Sequence, residues 1–243
     1  GLVNAAGGES MAANCAYVIY IARGEYANGE TFLMSDGLGV GYGARPYADG
    51  IDCVYYIAQE NFPAEMLELD YPIRVRAYGV NKDSAGPGRW RGGAGVVREI
   101  EVLAEQADFS IRIDGVAQPS WGVKGGMNGG AGRAVVNPGT PQERELNPFS
   151  DGNVLTRGEV LRLETGGGGG WGHPFDREPK QVLADVLNGY VSSEAAARDY
   201  GVVLSADGRS VDDPLTERRR ADRPPVEGLF HRNGYRDTLE IAQ

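Results

Sequence analysis

Thirty-seven glycines in a 243-residue chain, gathered into a few dense stretches, limit this sequence more than any other feature. They concentrate at Gly37 to Gly43, Gly86 to Gly95, Gly122 to Gly132 and Gly166 to Gly172, with Gly166 to Gly170 an unbroken run. Glycine permits positive φ and close approach of neighbouring backbone, but ordering it costs more entropy than any other residue. Such stretches are therefore either flexible tether or tightly packed loop. Trp90, Trp121 and Trp171 stand in or beside them, and large aromatics embedded in glycine suit packed backbone better than tether. No G-X-Y period is present and 41% of residues are hydrophobic, so neither a collagen-like nor a disordered chain is expected.

Between the glycine stretches lie short runs rich in Val, Ile, Tyr and Leu, each bounded by Gly, Pro, Asn or Asp: Cys15 to Ala22, Asp52 to Gln59, Ile73 to Val80, Gly95 to Leu103, Phe109 to Val116 and Glu159 to Glu164. In Ile73-Arg74-Val75-Arg76-Ala77-Tyr78 the alternation predicts a core face made by Ile73, Val75 and Ala77, and Ile111-Arg112-Ile113 repeats it. Strands with no helices between them point to antiparallel sheets in a sandwich or barrel-like arrangement. This body spans 1–175. Residues 176–211 read as a short helical unit with a hairpin. Pro179 opens one helix whose apolar positions are Leu183, Val186, Leu187 and Tyr190, with Gly189 as its stop; Ser192 caps a second through Tyr200; Val202 to Leu204 and Asp207-Gly208 make the hairpin. Residues 212–243 read as an extended C-terminal tail packing on the body or on a partner. The fold class is thus mainly β with a small α+β C-terminal part.

The net charge of -10 argues against nucleic-acid binding, and Arg218-Arg219-Arg220 among acidic residues and prolines reads as a solvated connector. Cys15 and Cys53 sit in apolar runs without framework spacing and are expected to be free thiols in a reducing cytoplasm. No apolar run is long enough to span a membrane and no signal-peptide pattern precedes the first strand. The chain opens Gly1-Leu2-Val3-Asn4 without Met and reads as cut from something longer. Gly167, Gly169 and Gly172 meet G-x-G-x-x-G only through the polyglycine run, and Asp176 and Glu178 ahead of the next helix would repel phosphate. His173 and His231 are the only histidines, so no complete metal site is expected in this chain.

Candidate chemistry falls into two loops. In Glu60 to Glu68, Asn61, Glu65 and Glu68 follow a strand, where functional loops sit; they serve acid–base work or instead fix the loop through backbone N–H groups, Arg89 and Arg91. Asp83 and Ser84 occupy a tight loop, as catalytic groups or, more simply, as turn formers. Asn61, Glu65, Glu68 and Asp83 are the catalytic candidates, and Arg89 and Arg91 the substrate-binding ones.

The order of segments is more specific than any one of them. Gly39-Val40-Gly41-Tyr42-Gly43-Ala44-Arg45-Pro46 precedes Asn61-Phe62-Pro63-Ala64-Glu65, then Asp83-Ser84-Ala85-Gly86-Pro87-Gly88-Arg89-Trp90-Arg91-Gly92-Gly93. Trp121-Gly122-Val123-Lys124-Gly125-Gly126, the polyglycine run through His173-Pro174, and Tyr200-Gly201-Val202 follow. This series resembles the C-terminal half of the hydantoinase B/oxoprolinase family from near the start of the chain to about Leu204. The resemblance implies a β-rich subunit with a glycine-rich bundle of polyproline-II-like segments. It implies partners: a hydantoinase A-type ATPase subunit holding ATP and Mg, and an N-terminal half of the B-type subunit in which any divalent metal would lie, within a hetero-oligomer. The implied reaction is ATP-driven opening of a cyclic amide, or carboxylation of a ketone as in the acetone and acetophenone relatives. A scaffold without catalysis is the third reading. Where the family carries an aspartate before Pro174 this chain has His173, which puts a charge-dependent role there in doubt.

Overall fold

The computed structural model describes residues 9–55 and 61–225. In chain order the strands are β1 (Val18–Glu25), β2 (Thr31–Leu38), β3 (Ile73–Val80), β4 (Val96–Val102), β5 (Gln106–Ile113), β6 (Arg133–Val136), β7 (Arg144–Leu146), β8 (Phe149–Thr156) and β9 (Val160–Glu164). The helices are α1 (Ala64–Asp70), α2 (Pro179–Leu187), α3 (Ser193–Asp199) and α4 (Asp213–Ala221), with a 3-10 turn at Pro174–Asp176. A four-stranded sheet in the order β2-β1-β5-β8 and a five-stranded sheet in the order β3-β4-β9-β6-β7 are each antiparallel, and neither closes into a barrel.

Alternation builds the core between them. β5 turns Ala107, Phe109, Ile111 and Ile113 inward, β1 turns Val18, Tyr20 and Ala22 inward, and β9 contributes Leu161 and Leu163. The outer face of the five-stranded sheet is instead laced by ion pairs, Arg162 with Glu99 and Arg74 and Arg76 with Glu101. β3 departs from the expected alternation. Its register with β4 shifts between Val75 and Ala77, so that Arg76 is the extra residue of a bulge. Ala77 then pairs with Glu99 and is exposed, and Tyr78 instead lies opposite Arg98.

The glycine stretches form a close-packed bundle on the end of the sandwich. Thr165 joins it to β9: its hydroxyl donates to Gly39 O (2.6 Å) and accepts from the Val96 N–H (2.8 Å). From there the polyglycine strand donates hydrogen bonds with a period of three. Gly167 and Gly170 donate to Gly130 O (3.1 Å) and Met127 O (2.9 Å); Gly168 and Trp171 donate to Gly93 O (2.9 Å) and Trp90 O (2.9 Å). Gly169 donates to Ala13 O (2.9 Å). Three residues per turn is the polyproline-II repeat, so the strand sits among segments that each meet it every third residue. A Cβ on Gly167, Gly168, Gly169 or Gly170 would fall inside 3.0 Å of neighbouring backbone.

The C-terminal segment has its own small core of Val182, Val191, Ala195, Ala196, Tyr200 and Val202. Ser192 caps α3 by accepting from the Ala195 N–H (3.1 Å), and Leu204 and Val211 form a single bridge across the Asp207-Gly208 turn. Two expectations are corrected. The extended tail contains α4, capped by Asp212 accepting from the Leu215 N–H (3.1 Å), with proline in the first turn and Thr216 buried. The arginine cluster lies in that helix rather than in a connector: Arg218 and Arg219 are exposed, as a solvated stretch would be, but Arg219 donates to Ala197 O (2.5 Å), and the half-buried Arg220 donates to Arg177 O (2.7 Å) and Tyr200 O (3.2 Å). Second, Asp52 to Tyr55 is not a strand. Asp52 accepts from the Ala94 N–H (2.7 Å) and bends the chain, leaving one bridge between Val54 and Val40. The rest of that expected strand, and the tail beyond 225, lie outside the described residues. Cys15 and Cys53 are free thiols, and no described helix is long and apolar enough to cross a membrane.

Candidate functional site

On the sandwich margin bordered by β2 and β3, the inward face of β4 reads Val96, Arg98, Ile100 and Val102, so an arginine occupies a core position. Arg98 is 1% exposed. Its Nη1 pairs with Asp36 Oδ2 of β2 and lies 3.3 Å from the hydroxyl of Tyr20 on β1. Its Nη2 donates to Asn61 Oδ1, at the entry to α1. The guanidinium stacks 4.3 Å from the centroid of the Tyr78 ring, which the β3 bulge has turned toward it. Asp36 also accepts from the Tyr20 hydroxyl (3.0 Å) and the Gly37 N–H (2.8 Å). Tyr55 completes the group, its hydroxyl donating to Gly37 O and lying 3.3 Å from Asn61 Oδ1. Arg98 Nε has no hydrogen-bond partner among the described residues.

Burying such a pair costs several kcal/mol per ion before attraction repays it, a cost that a well-packed apolar pair would avoid. Stability alone is a poor reason for the arrangement. Burial, then the Asp36 carboxylate, pushes the Tyr20 and Tyr55 phenols well above their usual range, and burial pushes Tyr78 up as well. Burial works against the Arg98 charge, but Tyr20 and Asp36 outweigh it and hold the guanidinium above its ordinary value. Near neutral pH these groups are fixed hydrogen-bond donors, not a general base.

Of the residues singled out from sequence, Asn61 alone belongs to this cluster. Glu65 is exposed in the first turn of α1, where a carboxylate suits the helix dipole. Glu68 accepts from the Val75 N–H (2.8 Å) and moors α1 beside the bulge. Asp83, at φ 63°, accepts from the Ser192 N–H (2.7 Å) and ties its loop to the start of α3. The Ser84 hydroxyl donates to Asn81 O (2.6 Å) and accepts from the Gly95 N–H (2.9 Å), a turn former's role. Arg89 is exposed, its guanidinium 5.9 Å from the Trp90 ring.

Arg91 is a correction. It is buried and committed to Asp52 (2.8 Å) and Asp185 (3.3 Å), while Arg177 holds Asp49 (2.7 Å) and Asp185 (2.9 Å). This network clamps the helical unit onto the glycine bundle and leaves Arg91 no hand for a substrate. Burial raises the Asp185 carboxyl despite both arginines. His173 also has a settled role: Nδ1 accepts from the Phe175 N–H (3.0 Å), so Nε2 carries the proton and donates to Pro224 O (3.0 Å). Burial holds its pKa below the usual value, so it caps the 3-10 turn as a neutral ring, taking the acceptor part of a capping carboxylate. No group of three or more His, Cys, Asp or Glu among the described residues is placed to hold a metal.

The residues missed from sequence are Tyr20, Asp36, Tyr55, Tyr78 and Arg98. A signal was there in Val96-Val97-Arg98-Glu99-Ile100, where Arg98 shares the parity of the apolar positions.

Comparison with known proteins places these features. The sequence model described as Hydantoinase B/oxoprolinase matches residues 2–174, which hold the sandwich, the glycine bundle and the Arg98 cluster. A protein assigned as the B-type subunit of a D-/L-hydantoinase in Pseudomonas sp. (strain NS671) is 33% identical over 203 residues, covering 82% of this chain and 34% of that protein. The acetophenone carboxylase delta subunit of Aromatoleum aromaticum (strain DSM 19018 / LMG 30748 / EbN1) is 28% identical over 222 residues, covering 74% of this chain and 31% of that one. The crystal structure of the ATP-dependent caprolactamase from Pseudomonas jessenii superimposes with a TM-score of 0.72 at 26% identity, over 86% of this chain and 38% of that one. The chain thus spans about a third of the length of these relatives. It belongs to the hydantoinase B/oxoprolinase family.

Proposed function

We propose that this chain is part of the B-type subunit of an ATP-dependent, cytoplasmic amidohydrolase complex that opens a cyclic amide. In this reading a partner ATPase subunit holds ATP and Mg and transfers the γ-phosphoryl group to the amide oxygen, releasing ADP. Water then adds to the activated carbon, and the C–N bond breaks as the ring nitrogen takes up a proton, leaving an acyl phosphate; a second water hydrolyses it to the carboxylate and inorganic phosphate. Turning the oxygen into a leaving group is what makes a poorly electrophilic amide reactive. The remainder of the B-type subunit holds any divalent metal, and this chain supplies the rigid glycine bundle and the donor cluster around Arg98. The observation that carries the reading is the family match across residues 2–174, with the hydantoinase relative at 33% identity ahead of the carboxylase relative at 28%.

That carboxylase relative supports a second reading, as part of a ketone carboxylase. The deciding experiment is ATP turnover by the assembled complex. Stimulation by hydantoin, 5-oxoproline or a lactam supports the amidohydrolase. Turnover that requires a ketone plus bicarbonate, with the amides silent, replaces it with the carboxylase. A scaffold without chemistry is favoured if alanine at Asn61, Glu65 and Glu68 leaves both assembly and turnover unchanged.

A further inference from the structure

We propose that Asn61 binds a substrate carbonyl oxygen through its carboxamide N–H2, and that Arg98 is the positioning residue that aims it. The orientation of the amide follows from what faces it. A guanidinium carries only donors, so the Asn61 atom meeting Arg98 Nη2 is the oxygen. In a planar carboxamide the nitrogen then points away from the guanidinium, and Asn61 is exposed, so the N–H2 is presented outward. Arg98 is held from behind by Asp36 and the Tyr20 hydroxyl at Nη1 and by the Tyr78 ring on one face, so it is braced against swinging with the loop. A core arginine braced on several sides and spending its outermost nitrogen on an exposed amide is an expensive device for a loop anchor. It is a sound one for holding a donor at a fixed angle.

The ligand class follows from the charges. Arg98 is matched by Asp36, and the neighbouring phenols stay protonated, so the cluster offers no net positive charge to favour an anion. An uncharged ring carbonyl, as in a hydantoin or lactam, suits an N–H2 donor beside aromatic rings better than a carboxylate-bearing ring does. This inference rests on the amidohydrolase reading for its substrate, though not for the geometry of Asn61.

Two substitutions test it. Asn61→Asp keeps an oxygen for Arg98 but replaces the outward donor with an acceptor, so the complex should assemble with unchanged thermal stability while kcat/KM for hydantoin falls about tenfold, chiefly through KM. Arg98→Lys keeps the charge opposite Asp36 but cannot reach both Asp36 and Asn61, and should give a comparable loss. If Arg98 acts through Asn61, the double variant is no worse than Asn61→Asp alone. Unchanged kinetics in Asn61→Asp, or losses that multiply in the double variant, overturn the proposal. If Arg98→Lys does not fold, Tyr78→Leu removes only the ring behind the guanidinium and takes its place, with the same expected pattern.

A second readout needs no turnover. In the 15N-labelled chain, titration with hydantoin should shift the Asn61 side-chain N–H2 signals, and Arg98→Lys should abolish that response. No shift at saturating hydantoin overturns the proposal directly. If hydantoin shifts those signals but no cyclic amide drives ATP turnover in the wild-type complex, the amidohydrolase reading falls and the carbonyl-binding donor stands.

Discussion

Gly168 donates to Gly93 O, accepts from the Gly86 N–H (2.8 Å), and passes so close to Tyr42 that a Cβ would enter its backbone. Backbone cannot rotate aside as a side chain can, so Gly168→Ala should destabilise by about 3 kcal/mol or more through overpacking. Gly79 has nothing within 4 Å of its Cβ position, and Gly79→Ala should be neutral or stabilising by about 0.4–1 kcal/mol. Chemical denaturation of the two variants checks the contrast, and equal effects would mean that crowding does not explain the glycines. His173 makes a pH prediction. Its folded pKa lies below the ordinary value of 6.5, so the unfolded chain takes up the proton first as pH falls. The stability His173 contributes is therefore complete above about pH 6.5 and is lost as pH drops toward the lower folded value. His173→Asn keeps a capping acceptor without the titration, and its melting temperature should fall less than the wild type's between pH 7 and pH 5.

Elements show where sequence patterns carried and where tertiary context overrode them. β5 and β9 were legible because their inward alternation is apolar and unbroken, and β4 because Val96, Ile100 and Val102 carry the same period around Arg98. β8 was not: Ser150-Asp151-Gly152-Asn153 has poor strand propensity, and pairing with β5 makes it a strand. β3 was located correctly, yet its inward face was misread, because a bulge at Arg76 is invisible to a period-of-two count. That one residue brings Tyr78 rather than Ala77 over Arg98, so the candidate site depends on the irregularity that pattern reading smooths away. Asn61 was singled out as a loop residue after an expected strand, although Asp52 to Tyr55 is not a strand. Arg98, by contrast, is 62, 78 and 37 residues from Asp36, Tyr20 and Asn61, and meets them only through sheet packing. The clamp on the helical unit gives the prediction at this scale. Asp185→Ala removes the carboxylate that Arg91 and Arg177 share, leaving each buried arginine its other partner, Asp52 or Asp49, and should cost about 1.5–3 kcal/mol. Amide exchange should rise first across α2 and α3, while Arg89→Ala, at an exposed side chain, stays within about 0.5 kcal/mol. Uniform exchange across the whole chain would show that the network is not a local clamp.

For the molecule as a whole, the two sheets and the glycine bundle are one mechanical object joined at Thr165, where β9 runs straight into the polyglycine strand. Successive amides of that strand donate to different segments: Gly167 to the stretch after Trp121, Gly168 to the stretch after Asp83, Gly169 to the chain before β1. No local fraying can open one of these bonds without displacing a neighbour that is itself bonded to the strand. An isolated polyglycine segment is among the most flexible of chains, and here its order comes entirely from being surrounded. Hydrogen exchange tests that directly. The amides of Gly167 to Gly170 should exchange only through global unfolding, with protection matching β1 and β5 at the centre of the four-stranded sheet, and should lose protection in step with those strands as denaturant is added. Exchange on the timescale of exposed loops would mean that the bundle breathes independently of the sandwich. The Arg98 cluster would then rest on the sheets alone, with no rigid neighbour against which a substrate could be held.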